Sequence, residues 1–258
     1  MSNTLNTINI SSTPNEYNMQ SISNGIIILL CLLFAIVFMI YKTYQTKLTP
    51  KTFLINIYLY IIVCLLFVAF IGNYTQHLKI INDKHIFRFI ILYVILAFSG
   101  IFMIFKNDFF VNHIGFLLLA LALSLIMGTH FRYSKNVSQA ATITTIIMLV
   151  LTAIVFSVNE DTLIRMTKWL PTLTWILLFV IIAEISYMLL FDYNPTFNKV
   201  MSVLVVTLFS FFILSDTSRI LMKAKNLPCN THSCINYPKE STSLILDFMN
   251  IFSRLTHR

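Results

Sequence analysis

The sequence predicts an all-α membrane protein, a single bundle of spanning helices, and three observations carry that expectation. Of 258 residues 57% are apolar and 11% charged, against roughly 45–50% and about 25% in an ordinary soluble domain. The apolar residues gather into runs of spanning length along nearly the whole chain. With five glycines in total there is no Gly-rich phosphate loop, and neither His-Glu-x-x-His nor a paired Cys-x-x-Cys occurs. A nucleotide enzyme and a zinc hydrolase are thereby excluded, and no cofactor is expected. The net charge of +8 comes from Lys and Arg spread singly among the connections. Such residues flank a membrane; a nucleic-acid partner would need them gathered in a stripe.

Residues 1–24 are rich in Asn, Ser and Thr, have Glu16 as their one charge and show no hydrophobic period, which predicts a disordered tail. Gly25 to Tyr41 follows with its lysines after the apolar core, at Lys42 and Lys47, so it reads as an uncleaved anchor over 25–48 and not as a signal peptide. Six long runs come next: Phe53 to Gly72, Ile86 to Phe105, Ile114 to Thr129, Ala140 to Val158, Leu170 to Phe191 and Val200 to Leu214. Each can cross about 30 Å of hydrocarbon if its polar ends extend it. Ser241 to Leu255 is shorter and interrupted by Asp247, Asn250 and Ser253. At 1.5 Å per residue it reaches only about 22 Å, which suits a buried span or a half-helix that turns back.

Alternating the connections across the membrane puts Lys42, Lys47, Lys51, Lys223, Lys225 and Lys239 on one side and the lysine-free tail on the other. The tail then faces away from the cytosol. The glycosylation sequons at Asn9, Asn73 and Asn136 all fall on the tail's side. Lys79, Lys84 and Arg88 run against the rule. Cys229 and Cys234 come out cytosolic and are expected to be reduced.

Carboxylates are costly inside a membrane, by about 2.5–3.5 kcal/mol at mid-bilayer on insertion scales, so buried acids are functional candidates. Asp216 ends the run begun at Val200, roughly 6 Å inside the cytosolic edge, and Asp247 lies about 10 Å into its segment from the same side. At similar depth the two can share a proton as a pH-sensitive latch. Alternatively each is neutralised separately, Asp216 by Arg219 and Asp247 by Asn250 or a backbone group. Glu184 lies in the lumenal half of its run, where it either attracts calcium or stays neutral and hydrogen-bonded. His113 and His130 bracket one run and are expected at its two interfaces, as are Trp169 and Trp175.

These residues also carry a resemblance. Phe212 to Thr217, with its Asp-Thr pair, resembles the close of the penultimate helix in the Bax inhibitor-1 (TMBIM, or Lifeguard) family. Tyr237 to Phe252, with Asp247 and Asn250, is similar to the family's C-terminal signature. Thr49-Pro-Lys-Thr-Phe-Leu resembles the start of its first helix, and Ala141 to Ser157 its fourth. The resemblance implies a seven-helix bundle over 49–258 around a short C-terminal helix, with Gly25 to Tyr41 as an extra N-terminal helix. It implies a calcium leak from an intracellular store, endoplasmic reticulum or Golgi, and suppression of apoptosis, with calcium as permeant ion and cell-death regulators as partners beside membrane lipid. It further implies that Asp216 and Asp247 are the pH-sensing pair, transiently meeting calcium, and that a cation from the second family helix helps close the pore. Here that position offers Lys106, beside Asp108, with Arg219 as competing latch cation; Asn250 and Glu184 are the ion-pathway candidates. A membrane module that restrains death or stress-signalling proteins without conducting is the alternative. An enzyme is not expected, since no nucleophile and base share a depth.

Overall fold

A computed structural model describes residues 27–256 apart from 28, 29, 32, 33, 35, 39, 77–85, 192, 193 and 228. The predicted tail over 1–24 with Asn9, and Lys79 and Lys84, lie outside the described residues. Among the described residues there is no strand; those between 27 and 45 are helical up to Gln45, and six helices beyond them are long and apolar enough to cross a membrane.

Helix α1 (Pro50–Thr75) starts at a capping box. Thr49 accepts from the Thr52 amide at 3.1 Å and its own amide donates to the Thr52 hydroxyl at 2.8 Å, with Pro50 supplying the preset φ of a first helical residue. Then come α2 (Ile86–Ile104) and α3 (Phe109–Tyr133), the latter capped by Asp108, whose carboxylate accepts from the Val111 amide at 2.9 Å. They are followed by α4 (Val137–Ser157), α5 (Glu160–Lys168), α6 (Leu170–Leu190), α7 (Pro195–Lys225), a 3₁₀ turn (His232–Cys234) and α8 (Tyr237–Thr256).

The helices match the six expected runs, with three differences. The nine-residue α5 carries no apolar run; it forms because Asn159 caps it, Glu160 and Asp161 suit its N-terminus, Arg165 and Lys168 suit its C-terminus, and Leu163 is buried. Helix α7 continues eleven residues past Leu214, so Asp216 sits within the helix and not at its end. Helix α8 begins at Tyr237 and its 20 residues reach about 30 Å. At one end Asn236 donates to the Ile104 carbonyl at 2.8 Å. At the other, Ser134 donates to the Thr256 carbonyl at 2.7 Å. The last helix therefore runs the length of the bundle, and the half-helix alternative is corrected.

Helix α8 is the core. It packs on α7, α1, α4 and α3, and Leu244, Ile245, Ile251 and Phe252 are fully buried. Because protein surrounds most of it, its polar residues are largely shielded, Lys239 and Asn250 excepted, which is why its sequence looks unlike a span. The outward faces of the other helices carry large exposed apolar side chains such as Phe98, Leu149, Phe179 and Leu189, as contact with hydrocarbon requires. Trp169 and Trp175 are exposed too.

Small residues let α3 approach its neighbours. A methyl group on Gly115 would stand 2.7 Å from the Gly100 carbonyl oxygen, and one on Gly100 would stand 2.8 Å from the Leu119 amide nitrogen. Gly72 and Gly128 do the same for α1 against α3. Four of the five glycines thus serve close helix packing.

Candidate functional site

Helices α7 and α8 are antiparallel neighbours joined by residues 226–236, and this places the two acids level. Asp216 is nine residues before the end of α7 and Asp247 ten residues after the start of α8, each about 14–15 Å from the shared loop. Both are buried, at 5% and 6% exposure, and they lie close enough for their charges to interact. Helix packing brings them there because Ile213, Ile220, Leu244 and Phe248 bury the same faces of the two helices.

The acids differ in their partners. Asp216 pairs with Arg219 at 3.5 Å, and Arg219 also donates to the Ser243 hydroxyl at 3.1 Å, which in turn lies within hydrogen-bonding reach of Asp216. Asp247 Oδ2 is buried with no hydrogen-bond partner among the described residues, as are the Ser215 and Thr217 hydroxyls flanking Asp216. An orphaned buried carboxylate oxygen is costly unless a proton, a water or a cation meets it. The unpaired Asp247 oxygen, level with the Asp216 carboxylate, marks where one could sit. Among the described residues no group of three His, Cys, Asp or Glu side chains could hold a resident metal ion.

The remaining expected residues are placed as follows. The Lys106 ammonium lies over the Phe102 ring at 4.5 Å from its centroid and makes no ion pair with Asp216, whose cation is Arg219. Asn250 is exposed on α8, one turn from Asp247, and does not bond it. Glu184 is paired. Arg254 of α8 grips both its carboxylate oxygens, at 2.5 and 2.6 Å, in a fork that only Arg can make. Asn73 lies in the last turn of α1, where its side-chain oxygen accepts from Gln76 at 2.7 Å. Asn136 heads α4 and is exposed, at the same end of the bundle.

Sequence reasoning missed several partners. His113 and His130 sit near the two ends of α3 as expected, but both are turned inward and buried, which corrects their interfacial reading. His113 donates from Nδ1 to the Phe109 carbonyl at 2.7 Å, so its Nε2 accepts from Tyr60 at 2.7 Å. The Tyr60 ring stacks on Tyr237, whose hydroxyl meets His232 Nδ1 at 2.6 Å. His232 Nε2 lies 3.2 Å from the Thr46 hydroxyl. Burial lowers the His232 pKa, with the Lys47 and Thr46 carbonyls opposing. Around it, Cys229 and Cys234 form a disulfide with Cα atoms 6.6 Å apart, contrary to the expectation of free thiols; the intervening 3₁₀ turn folds the loop back on itself.

No curated protein and no solved structure matches the chain. A family described as inhibitor of apoptosis-promoting Bax1 matches residues 50–257, from the first residue of α1 past the last of α8. That interval contains both acids, Arg219 and every helix after the N-terminal stretch, and the chain belongs to the Bax inhibitor-1 family.

Proposed function

We propose that this multi-pass membrane protein is a pH-sensitive calcium leak channel of the endoplasmic reticulum or Golgi, whose leak lowers store calcium and thereby suppresses apoptosis. The observation that carries the reading is the pair of buried carboxylates at one level of two antiparallel core helices, with Asp247 Oδ2 unpartnered. Two such groups in a dry bundle cannot both ionise cheaply, so their protonation is coupled. When both are charged, repulsion between α7 and α8 favours an arrangement that admits a cation between them; when one proton is shared, the helices close. Arg219 biases that balance by compensating Asp216. The chemistry asks for no cofactor.

The test is calcium flux in proteoliposomes of the purified full chain at several pH values. Asp216→Asn and Asp247→Asn should each alter the pH dependence, and the double variant should fall short of the sum of the two, because either single change already removes the shared proton. Additive effects would leave two independent structural acids. A wild-type protein with no flux at any pH would instead be a membrane module that restrains cell-death or stress-signalling proteins by binding them.

A further inference from the structure

Between the helical stretch ending at Gln45 and the first half of α3 runs a groove of 590 Å³, within the usual range of small-ligand sites. Ile36, Ile40 and Tyr41 form one wall and Phe110, Ile114 and Leu117 the other. Tyr60 and His113 form the floor, and their polar atoms are already satisfied by each other and by the Phe109 carbonyl. The groove therefore suits hydrocarbon along its length, and its other polar lining residues, Tyr44 and Gln45, stand at the loop end. Its loop end is different. Lys42 follows the lining residue Tyr41, and Lys47 and Lys51 come within the same connection; none of the three is in an ion pair among the described residues. The Lys42 ammonium stands over the exposed Phe38 ring at 5.7 Å. The connection is fixed beneath them, with Thr43 and Leu48 buried and Thr43 donating to Asn56 at 3.3 Å. Asp108, the acid at the head of α3, is engaged in capping the Val111 amide.

We propose that this groove is a binding site for an anionic diacyl phospholipid, one acyl chain lying between the N-terminal helix and α3 and the phosphate headgroup between Lys42 and Lys47. Charge complementarity decides the headgroup: this end of the bundle carries the lysines that orient the chain toward the cytosolic leaflet, where anionic lipids reside. Geometry decides the chain. Its walls are apolar on both helices, and along its edge Val37 and Phe38 are exposed where the second chain would lie. One wall also lies before residue 50, outside the family match, so the site is an addition to the shared bundle. The lipid would fasten the added helix to α3.

The test uses the purified full chain washed in mild detergent from nanodiscs of phosphatidylcholine doped with phosphatidylserine, with retained lipids read by native mass spectrometry. About one phosphatidylserine per chain should survive, enriched over its share of the bilayer. Lys42→Ser with Lys47→Ser should cut that enrichment roughly fivefold per lysine, the factor matching ~1 kcal/mol for each basic residue at an anionic surface. Ile114→Trp, at a position 49% exposed at the groove wall, should fill the slot and abolish retention of either lipid with the thermal midpoint unchanged. Lys135→Ser, at the opposite end of the bundle, should change nothing. Retention in proportion to the bulk bilayer, or retention undiminished by Ile114→Trp, would overturn the proposal whatever the calcium assay shows.

Discussion

Arg219 reaches Asp216 at 3.5 Å while 44% of its side chain stays exposed, so its grip on the carboxylate is partly screened by solvent. Such a contact can bias a coupled pair without locking it. Lys106 is occupied with Phe102, so Lys106→Ala should leave the calcium leak and its pH midpoint unchanged, whereas Arg219→Ala should move the midpoint; flux at equal expression distinguishes the two. Glu184 has the opposite character. Its bidentate partner and its side-chain exposure of 9% make it a structural tie between α6 and α8. Arg254→Met should cost about 3 kcal/mol by stranding a buried carboxylate, and adding Glu184→Met should restore most of it, measured by thermal unfolding in detergent. The cost of an acid in a membrane made all three acids legible in the sequence. What was not legible is partnership: Arg254 lies 70 positions from Glu184, and no periodicity pairs residues on separate helices.

At the scale of elements, the connection after the N-terminal helix is tied to the α7–α8 loop through His232. Its folded pKa lies below the ordinary value because the ring is buried, so the docked state resists the proton. The undocked loop therefore binds more protons between the two pKa values, and docking is fully stable above the free histidine pKa of about 6.5 and weakens as pH falls through it. Amide protection at residues 43–47, corrected for the intrinsic pH dependence of exchange, should fall as the pH drops below about 6.5, and His232→Gln should flatten that profile. The closest helix pair makes a second prediction. Gly115→Val would drive a branched side chain into the Gly100 backbone and should cost about 1–3 kcal/mol or more, measured by thermal unfolding in detergent. Six of the helices were readable because lipid demands long apolar runs. Helix α5 was not, since caps and one buried Leu163 sustain it, and the true extent of α7 was hidden because protein, not lipid, covers its last turns.

For the whole molecule, Asn73 and Asn136 emerge at the end of the bundle opposite the lysine-rich connections, in agreement with the charge-based threading. If that end is lumenal, Asn136 should be the glycosylated one, because it is exposed ahead of α4 whereas Asn73 is wound into α1; Asn136→Gln should then abolish a glycosidase-sensitive shift that Asn73→Gln leaves intact. The family was legible from short matches within the 50–257 interval, but the packing of α1, α3, α4 and α7 around α8 was not, since sequence order says nothing about which helix lies inside. That arrangement has a consequence for biosynthesis. Helix α8, with its acids, hydroxyls and Arg254, is too polar to enter a bilayer by itself, yet it is made after every helix that surrounds it. Until it is made, α1, α3, α4 and α7 lack the surface on which all four pack. Closure of this bundle thus waits on its last-made helix, which finds its polar partners in protein and not in bare lipid.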